Sequence, residues 1–229
     1  MTSNHYDLEL VQLTKSYHSA LHANIDHLKV AIASTAESSL IGVGSGGSYT
    51  VASLLCNLHE AYTGRVSRPS TPLELICNPT LAASSPVFLI SAEGKNPDIV
   101  EALERARRYS SRSIHVLTNR DACPLMDHVR DLPEVTSHVF ELANKDGYLA
   151  TNSLLLDAVV IARAYGALDR ASDQLPETLE QLHIGNASIN AWLDGTREFV
   201  REAVQRKGLL VVFSPLLRPV AADLESKLS

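Results

Sequence analysis

Short apolar runs that alternate with helical stretches constrain this chain more than any other feature. LIGV (40–43), PVFLIS (86–91), SIHVLT (113–118) and TSHVFEL (136–142) each read as a strand. The clearest of them are unbroken in apolar character, as strands buried on both faces of a parallel sheet are. Residues 48–61 read as the helix after the first run. A second helix starts at Pro97, with Asn96 placed to cap it and Asp98 set against the positive end of its dipole. Two i,i+4 pairs, Glu101 with Arg105 and Glu104 with Arg108, support it. Residues 151–166 form a strongly apolar helix ended by Gly166. This order predicts an α/β fold: a three-layer α/β/α sandwich on a parallel sheet of about five strands, doubly wound with right-handed crossovers.

The flanks are helical. Residues 5–36 read as helix with a break near residues 16–18, carrying an apolar stripe at Leu21, Ile25, Leu28 and Ile32. A further helix is expected over 187–206. KGLLVVFSP (207–215) reads as a fresh strand, and LRPVAADLESKLS as the start of another helix. The expected organisation is N-terminal helices (1–38), a ligand-binding α/β domain (39–166), a linker and helix (167–206) and the opening of a second, incomplete unit (207–229). The tail thus suggests one part of a longer two-domain protein.

Composition narrows the function. Twenty basic against 26 acidic residues give a net charge of −6, and no basic run occurs, which argues against nucleic-acid binding. No apolar stretch approaches the ~18 residues of a membrane span, and the N-terminus lacks the charged and apolar regions of a secretion signal. Cys56, Cys77 and Cys123 are far apart and form no CxxC pair, so neither a zinc site nor a disulfide framework is expected, and a reducing cytoplasm fits.

Two loops carry the chemistry. Gly44-Ser45-Gly46-Gly47-Ser48 joins the first strand to its helix. Glycines let main-chain amides approach an anion, the helix offers free N–H groups, and serine hydroxyls add neutral donors. Such a string also serves a crowded strand–helix crossover with no ligand. A dinucleotide site would want an acid at the end of the second strand, about 20 residues on. The first acid here is Glu74, beyond two prolines, and Arg65 and Arg68 are poor substitutes. The second loop, Ser91-Ala92-Glu93-Gly94-Lys95-Asn96, also follows an apolar strand and ends in a helix cap. Both loops lie at the carboxyl edge of the sheet, where one ligand could meet them.

With both loops in view, the chain resembles the SIS (sugar isomerase) family of phosphosugar-binding domains. The family's G-x-G-[GT]-S turn is matched in full by residues 44–48, and its S-x-S-G-x-[ST] loop in part by residues 91–96. KDGYLATNSLLLDAVV (145–160) is similar to the turn and helix that close the first such domain of glucosamine-6-phosphate synthase, with Gly147 and Thr151 matching and Asn152 standing where lysine is usual. The resemblance spans about residues 20–165, and residues 218–228 are similar to a helix of the second SIS domain, where a glutamate acts as base; Asp223 or Glu225 would hold that place.

The resemblance implies a flavodoxin-like SIS fold and a phosphosugar held by Gly46, Gly47, Ser48, Ser91, Glu93, Gly94, Lys95, Asn96 and Thr151, with Tyr148 near the sugar. It implies no cofactor and no metal, a homodimer packed through the N-terminal helices, and, for a complete tandem protein, aldose–ketose or aminosugar-phosphate isomerisation or deamination through an enediol with a carboxylate base. The alternative is a non-catalytic sugar-phosphate sensor. The chain departs from the family at Glu93 and Asn96, where serine or threonine is usual. A carboxylate beside a phosphate is repulsive. Lys95 could pair with Glu93 or reach the phosphate, Glu93 could turn away, or it could accept from a sugar hydroxyl or amine. His18 and His22, four apart with His27 beyond, have no third ligand on their face and read as a solvated or interface group. His115 reads as a core or strand-edge histidine, and Thr118 and Asn119 as edge residues that touch the sugar or close the turn.

Overall fold

The computed structural model describes residues 5–110, 112–142, 146, 150–168, 175–206 and 210–228. In chain order the elements are α1 (His5–His22), α2 (Asp26–Thr35), β1 (Ile41–Val43), α3 (Gly47–Thr63), β2 (Arg68–Ser70), α4 (Pro72–Cys77), β3 (Val87–Ile90), α5 (Pro97–Tyr109), β4 (Ile114–Thr118), α6 (Pro124–Val129), β5 (Val135–Val139), α7 (Thr151–Gly166), a two-residue-stranded hairpin β6 (His183–Ile184) and β7 (Ala187–Ser188), α8 (Ile189–Gln205) and α9 (Arg218–Leu228).

β1 to β5 form one parallel sheet in the order β2-β1-β3-β4-β5. Alternate strand residues feed two cores. Phe88, Ile90 and Leu117 pack under α1, α2, α3 and α7, while Val87, Leu89, Ile114 and Val116 pack under α4, α5 and α6. Helices therefore cover both faces, as the expected three-layer α/β/α sandwich requires. The strand order is the flavodoxin-like one, whose switch point lies between β1 and β3. From β1 the chain crosses to α3 on one face, and from β3 to α5 on the other. The two loops opened by that divergence are 44–46 and 91–96.

Close approach of α3 to β1 explains one glycine. A Cβ at Gly42 would lie 2.8 Å from the Ala52 carbonyl oxygen. α5 is built as its sequence predicts: the Asn96 side chain accepts from the Asp98 amide at 2.9 Å, and Arg105 pairs with Glu101 at 2.7 Å. Glu104 pairs with Arg107 rather than Arg108, since Arg107 also reaches Glu134 at 2.8 Å.

Other expectations are corrected. The first helix breaks at residues 23–25, not 16–18: the Asn24 side chain accepts from the Asp26 amide and starts α2, while Ser16 and Tyr17 are buried inside α1. The strand expected over 207–215 is absent from its described part. Residues 210–214 are exposed and join no strand among the described residues, and a 3₁₀ turn at Pro215–Leu217 leads into α9. α9 lies against α3, where the Thr50 hydroxyl donates to Asp223 at 3.3 Å. Among the described residues no helix is long and apolar enough to cross a membrane, and no three His, Cys, Asp or Glu side chains are placed to hold a metal ion. His18 and His22 lie ring to ring at 4.3 Å on the exposed side of α1.

Candidate functional site

The β1–α3 turn depends on glycine. Gly46 sits at φ +54° and begins α3, and a Cβ on Gly44 would run into the main chain of Ser48 and Tyr49. α3 starts with no side-chain cap and no acid in its first turn. The other two helices that start here are already capped: α5 by Asn96 with Asp98 beside it, and α7 by the Asp146 carboxylate, which accepts from the amides of Asn152 (2.9 Å) and Ser153 (3.3 Å). The positive end of α3 is the one left open to an anion.

The second loop is tied to the first. The Ala92 amide donates to the Ser48 hydroxyl at 3.4 Å, and the Asn96 side chain donates to the Ser45 hydroxyl at 3.2 Å. Within the loop the Gly94 amide donates to the Ser91 hydroxyl at 3.2 Å. Gly94 has φ +61° and is not among the cleft residues, and a Cβ there would run into Cys123. β4 braces the loop from behind, through the Thr118 hydroxyl and the Asn119 amide, both donating to the Ala92 carbonyl.

Between the loops and α7 lies an open cleft of ≈ 560 Å³. Of the residues read from sequence, Gly47, Ser48, Ser91, Glu93, Lys95 and Asn96 line it. Gly46 and Gly94 shape the loops without lining it. Thr151 begins α7 beside the cleft, but its neighbours Ala150 and Ser153 supply the wall. Gly147 and Tyr148 lie outside the described residues. Asp223 and Glu225 on α9 are not among the cleft residues.

Glu93 neither stands alone nor turns away. Its carboxylate pairs with Lys95 at 3.1 Å and lies 3.5 Å from Arg120. Two cations therefore offset the one carboxylate in this loop. Glu74, the acid that a dinucleotide reading would need, completes a capping box with Thr71 at the start of α4.

Sequence reading gave Ser45 only as a member of the first loop and missed Arg120, Ser153 and Asp157. Asp157 is fully buried at the back of the cleft. Burial pushes its carboxyl up to about 7; Asp146 adds to the rise, and the Asn119 hydrogen bond at 2.7 Å opposes it. An acid inside the apolar run LLLDAVV, one helical turn after Ser153, was the visible signal.

No family model matches the sequence, and no curated protein sequence matches it significantly. Solved structures do share its fold. A tagatose-6-phosphate ketose/aldose isomerase from Escherichia coli superposes with a TM-score of 0.61 at 18% identity, over 72% of this chain and 48% of that one. The C-terminal domain of a glucosamine-fructose-6-phosphate aminotransferase from Francisella tularensis gives 0.57 at 13% identity, over 89% and 55%. The Vibrio vulnificus NanR protein complexed with ManNAc-6P gives 0.55 at 16%, over 89% and 70%. The chain spans about half the length of the first two.

Proposed function

We propose that this chain is an SIS-type domain whose cleft binds a sugar phosphate. The observation that carries the reading is the convergence, at the β1/β3 switch point, of an uncapped helix start behind Gly46 and Gly47 with a second loop held against it through Ser48 and Asn96. An anion there meets main-chain amides, the Ser48 and Ser91 hydroxyls and Lys95. The shared fold supports the reading, since proteins named for sugar-phosphate chemistry and one complexed with ManNAc-6P have it. Binding, rather than turnover, is the activity assigned to this chain, because the carboxylates proposed as base on α9 lie outside the cleft lining. Isomerisation or deamination belongs to a complete tandem protein, sensing to a lone domain. A homodimer through the N-terminal helices and a cytoplasmic setting remain part of the proposal.

Calorimetric titration of the chain with fructose 6-phosphate, glucosamine 6-phosphate, the unphosphorylated sugars and NADH tests this. Binding is expected for a sugar phosphate only, with about tenfold loss in Ser48→Ala and in Ser91→Ala. Glu93→Ser releases Lys95 and Arg120 and is expected to tighten the sugar phosphate several-fold, in line with about 1 kcal/mol for a part-exposed ion pair. Abolished binding in Glu93→Ser would instead make the carboxylate a ligand contact. Binding of NADH alone would contradict the proposal.

A further inference from the structure

Asp157 is a carboxyl in a place where carboxyls are costly. It is fully buried within the apolar stretch 154–161 of α7 and makes no ion pair among the described residues. Its surroundings fix its orientation. The Asn119 amide nitrogen donates to Oδ1 of Asp157 at 2.7 Å and to the Phe140 carbonyl at 3.1 Å, so both of its hydrogens are used. The Asn119 side-chain oxygen is buried and has no partner among the described residues. Asp157 nevertheless lines the cleft, and among the described residues its one hydrogen bond is that from Asn119 to Oδ1. Ser153, one turn earlier on α7, lines the same wall and is itself buried. The loops thus present donors suited to an anion, and α7 across the cleft presents an acceptor with a hydroxyl beside it.

We infer that Asp157, oriented by Asn119 and flanked by Ser153, forms a second subsite that accepts a hydrogen bond from a hydroxyl or amine of the sugar, while the phosphate lies at the loops. This rests on the sugar-phosphate reading of the cleft. It divides the ligand chemically: inorganic phosphate fills the loop end alone, and a polyhydroxylated phosphate ester fills both ends. An apolar phosphate ester would leave Oδ2 unpaired and be rejected.

Asp157→Asn keeps the size of the side chain, and its amide oxygen can still accept from Asn119. It turns the group facing the cleft from acceptor to donor. Titration at pH 8 of the wild type, Asp157→Asn and Ser153→Ala with glucosamine 6-phosphate, fructose 6-phosphate and inorganic phosphate tests the inference. Asp157→Asn is expected to weaken the better sugar phosphate at least tenfold and Ser153→Ala about threefold, with inorganic phosphate unchanged in both. Unchanged sugar-phosphate affinity in Asp157→Asn overturns the subsite, as does a parallel loss for inorganic phosphate, which would mark a structural role. Should Asp157→Asn not fold, Ser153→Ala decides alone: unchanged sugar-phosphate affinity overturns it. A wild type that binds no sugar phosphate fails earlier, at the reading of the cleft itself, and takes the subsite with it.

Discussion

Gly44→Ala is expected to lower the melting temperature by roughly 6–12 °C and to abolish ligand binding. The added Cβ would meet the Ser48 carbonyl and lie 2.9 Å from the Tyr49 amide nitrogen. Both are main-chain atoms in the first turn of α3, so no side chain can swing aside. Relief requires α3 to move away from β1, and Gly42 shows how closely that helix is already seated. Overpacking of this kind costs about 3 kcal/mol, and in a chain of this length each kcal/mol lowers the midpoint by roughly 2–4 °C. Binding goes with stability because the same turn aims the Gly46 and Gly47 amides. Gly47→Ala is the control: its Cβ would meet nothing closer than 3.6 Å, so stability is expected to hold. Thermal unfolding of the two variants side by side reads the difference, and a Gly44→Ala protein as stable as wild type would contradict the account.

Unfolding free energy is expected to rise from pH 4.5 and to level off near pH 7. The acid limb comes from two buried histidines that stack with Phe88 on one face of the sheet. His115 stacks on Phe88 at 4.4 Å and His138 stacks beside it, and each ring has one buried nitrogen without a partner among the described residues. Burial pushes both imidazoles down to about 4. The unfolded chain therefore takes up about two protons between pH 6.5 and 4 that the folded chain refuses, and stability falls as pH falls through that window. Asp157 has the opposite sign. Its folded carboxyl is raised to about 7, so the folded state holds a proton that the unfolded state has lost, and stability falls as pH rises toward 7. Between pH 4 and 6.5 the balance is about two protons against one. The net slope is roughly 1.4 kcal/mol per pH unit, with stability rising as pH rises. Near pH 7 the histidine and carboxyl contributions cancel, and the curve levels off. His59, also lowered by burial, adds to the acid limb. Urea unfolding from pH 4.5 to 8 measures the curve. His115→Phe is expected to flatten the acid limb, and Asp157→Asn to steepen it while raising stability at pH 8. A flat profile over this range would remove the histidine stack as an energetic feature.

The sequence made some of this legible because local signals and the fold agreed. β3 is an unbroken apolar run and β4 carries His115 among apolar residues, both are buried on both faces, and α7 has the bounds its apolar run predicts. α5 begins where Asn96, Pro97 and Asp98 place it. β2 was invisible: Arg68-Pro69-Ser70 is a short, partly exposed edge strand with no apolar pattern, formed only because β1 offers it a partner. α4 and α6 have six residues each, too few to show a helical period. The expected strand at the tail had the composition of a buried strand but has nothing to bury it, since Leu210 and Val212 are exposed.

The site divides in the same way. Residues consecutive in the two loops were found because their types and spacing speak for themselves. Arg120 reaches Glu93 only when β4 lies beside β3, and Asp157 faces the cleft only when α7 packs on α3. Asn119, read as a strand-end residue, proved to be the link between them, holding Ala92 with its main chain and Asp157 with its side chain. No spacing within one segment encodes such a meeting.

The most direct test of the central claim is a crystal structure of this chain soaked with the best-binding sugar phosphate. The account predicts the phosphate at the start of α3, within hydrogen-bond distance of the Gly47 amide and the Ser48 and Ser91 hydroxyls, with a sugar hydroxyl or amine toward Asp157. A sugar phosphate bound away from the β1/β3 switch point, or seated there with its phosphate on α7, would contradict it.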